Sequence, residues 1–180
     1  MIAMNALQRI LVATDLSEGT EALFALAEDL ARRSGAQLIV AHIADPAEYD
    51  EIRRETRMGL DEYIEKLRSS IRYAFEKSIE GQTPARPIRL EVALKAHSVP
   101  QELLEMARRE QADLIMLGTH GRTGLSRAML GSVAEEVLRH AVTPVLVVPR
   151  SAARVREGAQ VRAQESTAAA PASGGGGRDD

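Results

Sequence analysis

Two glycines three positions apart, Gly118 and Gly121, are followed after nine residues by the pair Gly131-Ser132. The whole segment reads GTHGRTGLSRAMLGS over 118–132. Glycine carries no Cβ, so a loop built this way lets its backbone N–H groups approach an anion closely. Gly131-Ser132 opens an amphipathic stretch, and a helix N-terminus presents unpaired N–H groups and a dipole that favour phosphate. The Ser132 hydroxyl has two roles open to it, donation to a phosphate oxygen or capping of that helix. Arg122 and Arg127 are either charged donors to phosphate or solvated side chains. His120, with no nucleophile or acidic partner beside it in sequence, reads as a solvated loop residue. The common phosphate signatures GxxxxGK[ST] and GxGxxG are absent, and Lys66, Lys77 and Lys95, the three lysines, all lie well before the segment.

A second chemical signal is Asp15, which follows the apolar run RILVA and Thr14. A carboxylate there either caps the next helix or accepts hydrogen bonds from a ligand. Ser17 is the better-placed N-cap, which leaves Asp15 for the ligand. His42 sits within QLIVAHI and reads as a packed strand residue. His42, His97, His120 and His140 show no metal-ligand spacing, so no protein-held metal is expected.

These residues need elements to place them. Arg9–Ala13, Gln37–Ile43, Ile88–Leu94, Asp113–Leu117 and Pro144–Val148 are short apolar or alternating runs, and read as five strands. Between them, Glu21–Arg33 has a helical apolar face and stops at Ser34-Gly35. Asp45-Pro46 breaks the second strand. Residues 47–80 read as a charged surface helix with Ile52, Leu60, Ile64, Leu67, Ile71 and Phe75 on a narrow face, interrupted near Gly59. Ser98-Val-Pro-Gln101 has the form of a capping box for a helix running to about Glu110, and Gly131–His140 is a short helix. Continuous apolar strands alternating with helices predict an α/β fold, an open, mainly parallel five-stranded sheet with helices on both faces. In such folds ligands sit beyond the carboxyl ends of the strands. The Thr14-Asp15, Ile43–Asp45 and Gly118–Gly124 loops all end strands there.

Composition bounds the rest. Residues 151–180 contain no Leu, Ile, Phe, Met, Trp or Tyr and finish APASGGGGRDD, so a disordered low-complexity tail is expected there, after a single domain over 1–150. A net charge of −3 and 3% aromatics argue against a nucleic-acid surface. No cysteine is present, which excludes thiol chemistry and is compatible with a reducing cytoplasm. The N-terminal MIAMNALQRILVATD lacks the basic and long apolar regions of a secretion signal, and no run approaches a membrane span. The expectation is a cytoplasmic protein with neither membrane nor nucleic-acid partner.

The glycine segment resembles the nucleotide motif of the universal stress protein family: Gly, two residues, Gly, nine residues, Gly-Ser/Thr. The following SVAEEVLRHAVTPVLVVP and the N-terminal RILVATDLSEGTEAL also resemble that family, and the resemblance covers roughly residues 8–149. It implies a Rossmann-like, adenine-nucleotide α-hydrolase-like fold, homodimers and, in the class with this glycine pattern, ATP binding. Carried over, it implies that Asp15 holds the ribose hydroxyls, with Ala13 and Thr14 lining the site. Ile43 meets adenine, and Leu117 and Gly118 flank ribose and phosphates. Gly121, Gly131, Ser132 and Val133 contribute phosphate N–H contacts, and Arg122 is added as a possible phosphate donor. Mg²⁺ would arrive with ATP on its phosphates and water. Ala96 stands where the family often has glycine, a departure that touches the turn before the third helix.

The functional expectation is an ATP-binding regulatory protein of the stress response with slow or no hydrolysis, at most a weak ATPase, since no base, activating lysine or arginine finger is evident. Two alternatives belong to other classes: an adenylate-forming enzyme, which would release pyrophosphate, and an interaction scaffold with a vestigial nucleotide site. The apolar Pro144–Val148 strand ends the sheet, and the resemblance assigns it to a homodimer contact.

Overall fold

The computed structural model describes residues 7–17, 19–119 and 130–149. Gly121, Arg122, His120, Arg127 and the 151–180 tail lie outside these residues.

Five strands form one parallel sheet: β1 (Arg9–Ala13), β2 (Gln37–Ala44), β3 (Arg89–Leu94), β4 (Leu114–Gly118) and β5 (Val145–Val148). Their spatial order is β3-β2-β1-β4-β5. β1 is central, and its side chains Ile10, Leu11 and Val12 are fully buried. Its register places Ala13 opposite Ala41 of β2 and Leu117 of β4. β1 and β4 therefore end almost level, β2 runs on to Ala44, and their following loops lie at one end of the sheet. β1 is also the point where strand order reverses, the usual crevice for a ligand in an open α/β sheet.

The alternation of strand side chains divides the core in two. Ile10, Val12, Leu38, Val40 and Met116 pack against α1 (Thr20–Ser34) and α3 (Leu60–Ser78). Leu11, Ala13, Ile39, Ala41, Ile115 and Leu117 pack against α4 (Val99–Arg109) and α5 (Ser132–His140). The rings of Phe24 and Phe75, 5.6 Å apart and tilted by 58°, join α1 to α3. Glu28 of α1 is only 4% exposed, yet its Oε1 accepts hydrogen bonds from the Arg32 Nη2 at 3.0 Å and the Ala85 N–H at 2.7 Å. Arg32 also donates to the Thr83 carbonyl at 2.8 Å, so this pair fixes the loop between α3 and β3.

Two local expectations are corrected. α1 does not use Ser17 as its N-cap: the helix starts at Thr20, and Gly19 occupies the cap with φ 95° and no side-chain hydrogen bond. The chain turns once more first, with the Ser17 carbonyl accepting from the Thr20 N–H at 3.2 Å. Leu60 lies on the expected apolar face but is 40% exposed, because it is the first residue of α3, ahead of the turn that meets the sheet. Tyr63 is buried in its stead and packs on Tyr49. The break near Gly59 separates α3 from α2 (Pro46–Thr56), and Gly59 is the α3 N-cap. Asp45 and Pro46 end β2 by starting α2: the Asp45 Oδ1 accepts from the Ala47 N–H at 3.0 Å, and Pro46 needs no acceptor in the first turn. The Ser98–Gln101 capping box of α4 is present as read, with both reciprocal bonds at 3.3 Å.

The outer strands differ. β3 carries Arg89 and Glu91, tied to each other and to Glu110 and Arg109 beside α4. β5 is Val-Leu-Val-Val. Next to it, Val142 is 92% exposed and Leu138 of α5 is 45% exposed.

Candidate functional site

A cavity of about 320 Å³ opens at the carboxyl ends of β1, β2 and β4. That volume lies within the range of small-molecule sites. One wall is apolar: Ala13, Ile43 and Leu117 from the strands, with Val99 and Leu103 of α4 and Ala134 of α5. The rim carries carboxylates, Asp15 after β1 and Asp45 and Glu48 at the start of α2. The remaining side is Gly118 and Thr119 facing Gly131, Ser132 and Val133.

The β1–α1 turn is held by its own side chains. Thr14 uses every polar atom on protein: its N–H donates to the Ala41 carbonyl at 3.0 Å, its hydroxyl pairs with that of Thr20 at 3.0 Å, and the same oxygen accepts from the Leu16 N–H. Leu16 then takes a positive φ of 58°. The Asp15 Oδ1 accepts from the Ser17 N–H at 3.0 Å, an Asx turn and not a helix cap. No donor among the described residues reaches the other oxygen, Oδ2, which stays available to a ligand hydroxyl.

On the facing side, the Gly131 N–H donates to the Thr119 carbonyl at 2.7 Å, and the Thr119 N–H donates to the Val148 carbonyl at 3.1 Å. Gly131 is the N-cap of α5 with φ −64° and ψ 148°, a conformation open to any residue. No left-handed turn therefore requires a glycine there, and its own N–H is already engaged. Ser132 is the first residue of the helix, one past the N-cap position, which Gly131 holds. The first N–H paired within the helix is that of Glu135, on the Gly131 carbonyl. Those of Ser132, Val133 and Ala134 find no backbone acceptor among the described residues, as a helix start requires.

α4 is braced from its own loop. The Glu102 Oε1 accepts the Ala96 and His97 N–H groups, each at 3.1 Å, and lies 3.4 Å from the His97 Nδ1. Burial pushes this carboxyl up, but the two backbone donors and the imidazole outweigh it and hold it below the usual carboxylate range. Ala96 does not appear among the residues with positive φ, which explains why alanine serves where glycine is common. Across the cavity, the Lys95 Nζ meets the Asp45 Oδ2 at 2.8 Å and neutralises that part of the rim.

Of the residues singled out in the sequence, Ala13, Thr14, Asp15, Ile43, Leu117, Gly118, Gly131, Ser132 and Val133 all line this one cavity. The sequence profile of the universal stress protein family matches residues 6–149. The chain belongs to the universal stress protein family. Among its relatives, Universal stress protein MJ0531 of Methanocaldococcus jannaschii is 29% identical over 146 residues, spanning 81% of this chain and 84% of that protein. A putative universal stress protein of Staphylococcus haemolyticus, SH1215, is 33% identical over 147 residues, 81% and 86% of the two chains. A crystal structure of a universal stress protein in complex with cAMP superposes with a TM-score of 0.60 at 25% identity, covering 82% of this chain and all of that one.

In this universal stress protein the sequence reading missed part of the cavity. His42, Glu48, Val99, Leu103 and Ala134 line it as well, beside Asp45 and Thr119 of the strand-ending loops expected there. Val99, Leu103 and Ala134 are ordinary apolar helix positions, and nothing in their type sets them apart from core residues. His42 did carry a signal, a polar ring inside an apolar strand. It is only 4% exposed, and its Nδ1 lies 2.8 Å from the Thr14 carbonyl. Among the described residues no cluster of His, Asp and Glu is arranged to hold a metal ion, and no helix is long and apolar enough to cross a membrane.

Proposed function

We propose that this universal stress protein binds an adenine nucleotide, ATP foremost, in the cavity at the carboxyl ends of β1, β2 and β4, and acts in stress regulation with slow or no hydrolysis. The observation that carries this reading is the arrangement of one acidic acceptor, one apolar slot and one helix N-terminus around a single cavity. Asp15 accepts from the ribose hydroxyls through its open Oδ2. Ile43, Ala13 and Leu117 form the slot for the base. The N–H groups of Ser132 and Val133, with the Ser132 hydroxyl, take the phosphates, and Gly131 and Gly118 keep side-chain bulk away from them. Gly121 and Arg122 belong to the same phosphate segment by sequence. The similar solved protein carries cAMP, another adenine nucleotide, which supports the class of ligand.

Mg²⁺ accompanies the phosphates and is held by them and by water, with no dedicated protein cage. The domain is the 1–150 unit, and the protein works in the cytoplasm. Two copies pair through the β5 edge, where Val142 and Leu138 stand exposed beside an apolar strand. An adenylate-forming enzyme would need a second, acceptor pocket, and nothing described supports one.

The test is direct. Protein is stripped of bound nucleotide, then titrated with ATP, ADP, cAMP and GTP by calorimetry. Saturable adenine-nucleotide binding that disappears in Gly131→Val supports the reading. Absence of binding heat and of any shift in melting temperature at millimolar ATP overturns it and leaves the scaffold.

A further inference from the structure

We infer that His42 is the positioning residue for Asp15, and thereby sets the preference of the site for a ribose that carries its hydroxyls. This rests on the nucleotide reading above, because Asp15 is there the acceptor for those hydroxyls.

The acceptor of the His42 contact is a backbone carbonyl, which cannot donate. Nδ1 therefore carries the proton, in the neutral ring as in the charged one. The bond reaches the carbonyl of Thr14, the oxygen of the peptide that joins Thr14 to Asp15. Fixing that peptide plane fixes the direction in which the Asp15 backbone leaves β1.

The other restraints on this turn are mostly local. The Leu16 N–H binds the Thr14 hydroxyl and the Ser17 N–H binds Asp15, bonds that travel with the loop if it tilts. The Thr14–Thr20 hydroxyl pair ties it to α1. Among the described residues, only the Thr14 N–H on Ala41 and the His42 ring tie it to β2, the strand that carries Ile43. His42 thus couples the two walls of the cavity, the turn of Asp15 and the slot of Ile43.

Packing alone does not account for an imidazole here. Val40 and Leu38, two and four residues earlier on the same face, belong to the aliphatic core. A further aliphatic residue would fill the face without burying a polar ring that must be satisfied.

The experiment uses the full chain with His42→Leu and His42→Asn. Leucine removes the donor at similar volume. The asparagine Nδ2 stands the same number of bonds from Cβ as the histidine Nδ1 and restores a donor. Each protein is titrated with ATP and with 2′,3′-dideoxy-ATP, and melted in parallel. We expect the wild type to prefer ATP by about tenfold or more, the scale of lost hydrogen bonds to a charged group. His42→Leu should reduce that preference to about threefold or less while its affinity for the dideoxy nucleotide stays within about twofold of wild type, and His42→Asn should recover it. An unchanged preference in His42→Leu with a lowered melting temperature would make the histidine a packing residue only and overturn the inference. An equal loss for both nucleotides would mean general collapse of the cavity, and would overturn it too. A wild type that binds both equally removes the Asp15 role, and the inference with it, while nucleotide binding stands. A wild type that binds neither brings down the nucleotide reading itself.

Discussion

The amide of Gly131 donates to the carbonyl of Thr119 at 2.7 Å, so the two ends of the glycine segment are tied together at the cavity mouth. The bond joins the end of β4 to the first turn of α5. It holds the helix start against the sheet whatever path residues 120–130 take. A substitution at Gly131 keeps this N–H, because only the side chain changes.

Gly131→Val therefore tests space and not the clamp. Its backbone conformation, φ −64° and ψ 148°, is open to valine, so the fold should survive with a melting temperature within a few degrees of wild type. ATP affinity should fall by about 100-fold, because a branched side chain stands where phosphate approaches the helix N-terminus. Calorimetric titration beside a thermal melt separates the two effects.

Asp15→Ala removes the carboxylate whose Oδ2 is open to the cavity. We expect a loss of about tenfold or more in ATP affinity, from hydrogen bonds to a charged acceptor. The dideoxy nucleotide should bind the variant and the wild type alike. Equal losses for both ligands would remove Asp15 from the ribose.

Glu28→Ala leaves the Ala85 N–H without its acceptor and takes the carboxylate from Arg32. The expected destabilisation is about 1–3 kcal/mol, read as a lower urea midpoint with the slope unchanged. Ligand affinity should hold, since this pair lies on the α1–α3 side, away from the cavity.

The Glu102 carboxyl titrates below its ordinary value of 4.5 when folded. A lowered folded pKa means the unfolded chain binds the proton more readily. The stabilisation is then complete above the unfolded pKa and is lost as pH falls through the folded one. Urea midpoints of the wild type and Glu102→Gln should differ at pH 7 and converge as pH falls through the folded pKa. A constant gap across that window would remove the linkage.

Leu138→Glu together with Val142→Glu tests pairing through β5. Both positions are exposed in the single chain, at 45% and 92%, so the monomer should fold normally. Light scattering coupled to size exclusion should give twice the chain mass for the wild type and the chain mass for the double variant. Equal masses would place any dimer contact elsewhere.

Much of this architecture was legible because it rests on local chemistry. RILVA, QLIVAHI and DLIML have no polar face to turn to water, and that alone demands a sheet covered on both sides. Asp45-Pro46 and Ser98–Gln101 carry their stop and start signals in their own side chains. The glycine spacing and Asp15 named both ends of the cavity. The rest depended on register. That Ala13 stands level with Ala41 and Leu117 follows from strand order, which no single segment encodes, and the roles of Val99, Leu103 and Ala134 follow from that alignment. Ser17 misled because a serine before a helical face is a strong local cap. Here Asp15 takes its amide into an Asx turn first, and the helix starts later at Thr20, with Gly19 as its N-cap. His42 was read by its strand, whereas its ring answers to the Thr14 carbonyl in the turn that follows the neighbouring one.

The two margins of the sheet have opposite characters, and this limits how copies can add. A strand approaching β3 meets the paired charges of Arg89, Glu91, Arg109 and Glu110. A strand approaching β5 meets only aliphatic side chains. A sheet adhesive at both margins can grow without end into a fibre. On the proposed pairing through β5, the charged β3 margin offers no second apolar edge from which the assembly could extend.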